Sequence, residues 1–209
     1  SNNTLYQGYS GVYMNGAMYN TIKNNLIIKW IQNGIWASSN ANNNMILEND
    51  ITSTGSRCMY FSNTNYGNTI KRNYVHDMSQ GIFFGASYNN IVQENYLVNL
   101  SSNGVYISSS SCYNINVSKN HIQNAAYGVY LFGAGSGVKI MENDIISSAT
   151  WGVYVTSGTV SATVYLNNLA SGTKNAFDQG TGTVWNNATM GNFWSNWTSP
   201  DANHDNFVD

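Results

Sequence analysis

The sequence predicts an all-β solenoid, a rod of parallel strands wound into about eight coils of 20–25 residues. Three features of the 209 residues predict it. An asparagine motif recurs along the chain. A glycine–aromatic motif follows most copies of it. The apolar residues alternate with period 2 and show no helical 3.6 period.

The asparagine motif reads N-x-[IV]-x-x-N-x-[ILV]. Its clear copies are Asn20/Ile22/Asn25/Ile27, Asn44/Ile46/Asn49/Ile51, Asn68/Ile70/Asn73/Val75 and Asn90/Val92/Asn95/Leu97. Weaker copies end at Asn120, Asn143, Asn167 and Asn187, so successive copies are 24, 24, 22, 25, 23, 24 and 20 residues apart. The second motif lies eight or nine residues after most of these asparagines. It is Gly34-Ile35-Trp36, Gly81-Ile82-Phe83, Gly104-Val105-Tyr106, Gly128-Val129-Tyr130 and Gly152-Val153-Tyr154, with Gly11-Val12-Tyr13 opening the series. Cys58-Met59-Tyr60 and Ala176-Phe177 replace the glycine.

One such unit cannot bury its own apolar side. Stacked copies can, because each coil covers the next and pairs its backbone with it. Leucine-rich repeats have a similar length but need a leucine consensus and usually a helical segment, and neither is present. Eight coils at about 4.8 Å each give a rod about 40 Å long. Ile22, Ile46, Ile70, Val92, Val117, Ile140 and Val164 then form one interior column. Val12, Ile35, Met59, Ile82, Val105, Val129 and Val153 form another. Inward-turned asparagines at the corners are expected to bond the coils above and below as a ladder. Asparagine also tolerates the left-handed backbone of a tight corner.

Composition narrows the function. Charged residues are only 9% of the chain, and eight Lys+Arg oppose ten Asp+Glu for a net charge of −2. No basic footprint for nucleic acid and no polybasic strip for a membrane surface exists. The single proline, Pro200, excludes Pro-rich linkers and collagen. No apolar run approaches the roughly 18 residues of a spanning helix. Ser1 reads as the start of a mature chain or an excised fragment. Cys58 and Cys112 are too few for a disulfide framework and are expected to be unpaired, buried thiols.

With eight repeats in register, the chain resembles the right-handed parallel β-helix repeat proteins of the NosD and archaeal cell-surface types. The resemblance covers residues 11–209. Its most specific part is the ending Gly191, Phe193, Trp194 and Trp197 followed by Asp201 and Asp205, which is similar to the closing segment of such domains. It implies a right-handed parallel β-helix in an extracytoplasmic setting, not one activity. The helix is expected over 1–190 and an aromatic cap with an acidic loop over 191–209.

Four groups of residues are candidates for function. The residue after each inward Val or Ile points outward, so Tyr13, Trp36, Tyr60, Phe83, Tyr106, Tyr130 and Tyr154 make one aromatic stripe. It reads either as a docking face for glycans or protein, or as rung-to-rung stacking that stabilises the rod. Asp201, Asn203, Asp205 and Asp209, with the Phe207 carbonyl, place oxygen donors at the spacing a calcium ion accepts. The alternative is a solvated acidic tail. Glu48, Arg72, Glu94, Lys119 and Glu142 precede the corner asparagines, so opposite charges face one another on successive coils. Sequons fall at Asn2, Asn99, Asn116, Asn187 and Asn196.

Catalytic constellations are sparse. His76 and Asp77 with Arg57 and Arg72 are the best cluster for lyase chemistry, and His121 is placed to pair with Asp144. The three histidines are scattered, so no zinc triad is evident, and the seven methionines are spread along the chain, so a copper-handling role by analogy with NosD finds no ligand cluster. The leading expectation is a non-catalytic extracellular rod at the cell surface, structural, adhesive or self-assembling. Its partners would be copies of itself, other surface proteins or glycans. The rival expectation is a carbohydrate-binding or polysaccharide-cleaving module.

Overall fold

The computed structural model describes residues 1–53, 55–171 and 174–196. Among them there is no helix, and every strand pairing is parallel. The chain is a right-handed parallel β-helix of about eight coils. Short strands such as Thr21–Lys23, Met45–Leu47 and Thr69–Lys71 stack into one face. A corner follows, and then longer strands run across two further faces with a bend between them. Leu26–Ser38, for example, pairs first with Asp50–Thr52 and then with Arg57–Tyr66.

Both expected interior columns form, from Ile22 to Val164 and from Val12 to Val153. A third column, Ile27, Ile51, Val75, Leu97, Ile122, Ile145 and Leu169, is fully buried beside them. Cys58 and Cys112 are free thiols inside this core. Burial raises both of their pKa values, so alkylation requires the fold to open.

The asparagine ladder runs the length of the rod. Asn3, Asn25, Asn49, Asn73, Asn95, Asn120, Asn143 and Asn167 each donate the backbone N–H and side-chain Nδ2 to Oδ1 of the next, at 2.9–3.2 Å. Its last rung is Asn192, 25 residues beyond Asn167, rather than Asn187. Asn187 instead accepts bonds from Thr189 and Met190 in an exposed turn. A second ladder joins Asn20, Asn44, Asn68 and Asn90. Ile115, Val138 and Ala162 then continue that corner as buried apolar side chains.

The left-handed residue at the main corner is not the ladder asparagine. It is the residue before it: Asn24, Glu48, Arg72, Glu94, Lys119, Glu142 and Leu166 have φ of 53–56°. The ladder side chain must turn inward, so the preceding residue makes the turn and points its side chain outward. That is why the alternating charges stand in one file. Arg72 lies 2.7 Å from Glu48 and 3.7 Å from Glu94, and Lys119 lies 3.3 Å from Glu142. Arg72, with Lys23, holds the Glu48 carboxyl below its ordinary pKa of 4.5, and Lys71 does the same for Glu94.

A carboxylate with a depressed folded pKa stabilises fully above its unfolded pKa and loses that contribution as pH falls through the folded value. Arg72→Gln should therefore leave the neutral-pH fold intact and flatten the loss of stability below about pH 4.5. Melting curves from pH 3 to pH 7, roughly spanning carboxylate titration, check this. An unchanged acid slope would contradict it.

Candidate functional site

The seven predicted stripe residues stand in one file, and Phe177 adds an eighth. Ring centroids along it are 4.7, 6.1, 5.0, 4.8, 4.9, 5.0 and 5.0 Å apart. Most rings lie face to face with the next, so their edges meet solvent and their faces meet each other. The contacts favour rung stabilisation, about 0.5–1.5 kcal/mol per pair. Burial, followed by the neighbouring tyrosines 106, 154 and 127, raises the Tyr130 pKa.

The other outward face follows the ladder corner. Asp50, Tyr74, Tyr96, His121, Asp144 and Asn168 register in one file along it. Thr52, His76, Val98, Gln123, Ile146 and Ala170 form a second. Asp77, Asn99 and Asn124, in left-handed conformation at the bend, form a third. Asn124 donates to Asn99 at 3.0 Å and Asn99 to Asp77 at 2.9 Å.

His76 lies between two carboxylates, with Nδ1 2.7 Å from Asp77 and Nε2 3.1 Å from Asp50. Its ring stacks on Tyr74 at 4.2 Å. His121 repeats the pattern: Nδ1 is 2.7 Å from Asp144, Nε2 is 3.2 Å from Gln123, and the ring stacks on Tyr96 at 4.4 Å. The pairing with His76, then the amide of Asn99, lowers the Asp77 pKa. The expected cluster is therefore only half assembled. Arg72 is paired on the corner, and the Arg57 guanidinium lies over the rings of Tyr60 and Phe83 at 4.5 and 4.7 Å. Asp50 and Tyr74 take their places beside His76. The signal for them was available, since each directly follows a corner asparagine and alternation points it outward.

Between this face and the aromatic face the bend leaves a shallow depression of 380 Å³. Ser101, Ala126 and Ala149 floor it, and Asn124 and Ser147 edge it. A second, of 450 Å³, is lined by Glu142, Asp144, Asn168 and Phe193. Together they give the face carboxylates, amides and rings spaced along an extended line.

Asp201, Asn203, Asp205, Phe207 and Asp209 lie outside the described residues, as do Trp197 and His204. Of the sequons, Asn2, Asn99, Asn187 and Asn196 are exposed. Asn116 sits half-buried in the strand Asn116–Ser118. No helix among the described residues is long and apolar enough to cross a membrane.

A family model described as periplasmic copper-binding protein (NosD) matches residues 1–99 and 55–199. No curated sequence matches the chain. Among solved structures it is similar to the T265N mutant of the periplasmic alginate epimerase AlgG, with TM-score 0.69, 16% identity, and coverage of 85% of this chain and 47% of that one. It is also similar to the A-module of the Azotobacter vinelandii mannuronan C-5 epimerase AlgE6, with TM-score 0.67, 18% identity, and coverage of 87% and 56%. The chain spans about half the length of each, and at these identities the likeness is one of fold.

Among the described residues, the histidines and thiols are not arranged to hold copper. Both thiols are buried in the core, and the Cys112 sulfur already accepts the Ser87 N–H. Both nitrogens of His76 and His121 are engaged. No three His, Cys, Asp or Glu among the described residues stand so as to hold a metal ion. Fold, repeat and the family match over residues 1–199 together place the chain in the NosD family of right-handed parallel β-helix proteins.

Proposed function

We propose that this protein is an extracytoplasmic carbohydrate-binding rod that holds a polysaccharide lengthwise along the histidine-bearing face. The observation that carries the proposal is the continuous outward file from Asp50 to Asn168, with its flanking depression at the bend. Hydroxyl groups need such alternating acceptors and amides, and sugar faces need such rings. The fold neighbours named for polysaccharides support a polysaccharide ligand in general, not the uronate chemistry of alginate or mannuronan, and the periplasmic description of the family supports the setting. Binding is favoured over turnover because both ring nitrogens of His76 and of His121 are committed to side chains. In this role the protein is an adhesive module of the periplasm or cell surface.

Affinity electrophoresis against a polysaccharide panel tests this. Retardation is expected without new reducing or unsaturated ends. His121→Ala with Asn124→Ala should weaken it about tenfold, or ~1.4 kcal/mol. Turnover lost on replacing His76 or Asp77 would overturn the binding-only reading.

A second reading, self-association, is favoured by the first coil. Strand Thr4–Asn15 leaves Tyr6, Tyr9 and Tyr13 more than half exposed, a face that either a second copy or a preceding coil would cover. Electron microscopy showing only monomers would exclude it. We also propose that calcium at Asp201, Asn203, Asp205, Phe207 and Asp209 clips the last coil. A melting temperature unmoved by calcium would exclude that.

A further inference from the structure

Resting on the proposed carbohydrate-binding role, we infer that the histidine face selects neutral glycans and rejects polyuronates. From Asp50 to Ala170 its three outward files hold three aspartates, two histidines and no lysine or arginine. Lys174, four residues past Ala170, stands exposed at the far end of the face, and the other cations around it are committed elsewhere. Arg72 and Lys71 are paired with Glu48 and Glu94 on the corner, and Lys119 with Glu142. Arg57 lies over the aromatic stripe. Lys29, one coil before the face begins, donates to the Tyr6 hydroxyl at 3.0 Å.

The aspartates are spread along the whole length. Asp50 and Asp77 flank His76, and Asp144 stands three coils further on beside the second depression with Glu142. Asp77 is held in its charged form by His76 and Asn99, so mild acid does not relieve it. A polyuronate laid along this line would bring a carboxylate on every sugar against those side chains. Like charges facing each other across an interface suppress binding. A neutral glycan brings hydroxyl donors to the same oxygens and loses nothing.

The test compares neutral hexose oligosaccharides with oligouronates of equal length by titration calorimetry at pH 7, in low and in high salt. Wild-type protein should bind a neutral oligosaccharide at least about tenfold more tightly than the oligouronate in low salt. High salt should narrow that gap. Asp77→Asn with Asp144→Asn should narrow it further. The chain itself shows that these substitutions suit the fold, since Asn99 and Asn168 occupy the same two files on the next coils. Equal or tighter oligouronate binding by the wild type would overturn the selectivity while leaving the binding role standing. Binding of neither class would overturn both.

Discussion

Asn120→Ala should lower the unfolding free energy by about 4 kcal/mol, the largest single-residue effect expected outside the apolar core. Asn120 is buried and sits mid-rod. Its Oδ1 accepts the N–H and the Nδ2 of Asn95, both at 2.9 Å. Its Nδ2 donates to Asn143 Oδ1 at 2.9 Å and to the Val92 carbonyl at 3.0 Å. Alanine leaves these partners without the amide and leaves no route for bulk water. Each orphaned buried group costs roughly 1–3 kcal/mol. Asn3→Ala is the internal comparison, because Asn3 is exposed on the first coil. It should cost under about 1 kcal/mol. Urea unfolding of the two variants checks the contrast, and equal losses would contradict a buried ladder.

Gly128→Ala should destabilise by about 2–3 kcal/mol. The reason is spatial. A Cβ at Gly128 would stand 2.5 Å from the Gly152 carbonyl oxygen, and it would also meet the Ile145 side chain. Gly104 faces the Gly128 carbonyl in the same way, again at 2.5 Å. The glycine of the G-[VI]-aromatic motif thus lets successive coils approach to hydrogen-bonding distance. Relaxing one coil pushes against its neighbours on both sides. Gly133→Ala provides the control, since no atom lies within 4 Å of its Cβ position and its φ of +61° carries the whole penalty, about 1 kcal/mol. Thermal melts of both variants separate crowding from backbone conformation, and equal shifts would sink the close-approach explanation.

The rod was legible because its determinants are local and repeated. Period-2 alternation and the spacing of Asn25, Asn49, Asn73 and Asn95 require nothing beyond a residue's own coil and the next. The repeat spacing points to Asn187 as the last rung, but Asn187 stands in a turn while Asn192, five residues on, reaches the ladder. Asparagine does take left-handed positions at Asn24, Asn43, Asn89 and Asn114, but at the ladder corner it is the residue before the ladder amide, most often a charged one, that makes the turn. Propensity lost there to the demand that the amide face inward. The histidine site was only half legible. Asp50 and His76 are 26 residues apart and meet because an outward position on one coil lies beside an outward position on the next. Arg57 and Arg72 complete the expected basic cluster around His76, but ring stacking and corner ion pairs take them away.

Diffraction from crystals of the chain tests most directly whether like positions of successive coils form vertical files. The expected map shows Tyr106 and Tyr130 stacked with ring centroids near 4.9 Å, and the Asn95 amide donating to Asn120 Oδ1 near 2.9 Å. A map placing Tyr106 and Tyr130 on different sides of the molecule would contradict the ladder, the interior columns and the histidine face together.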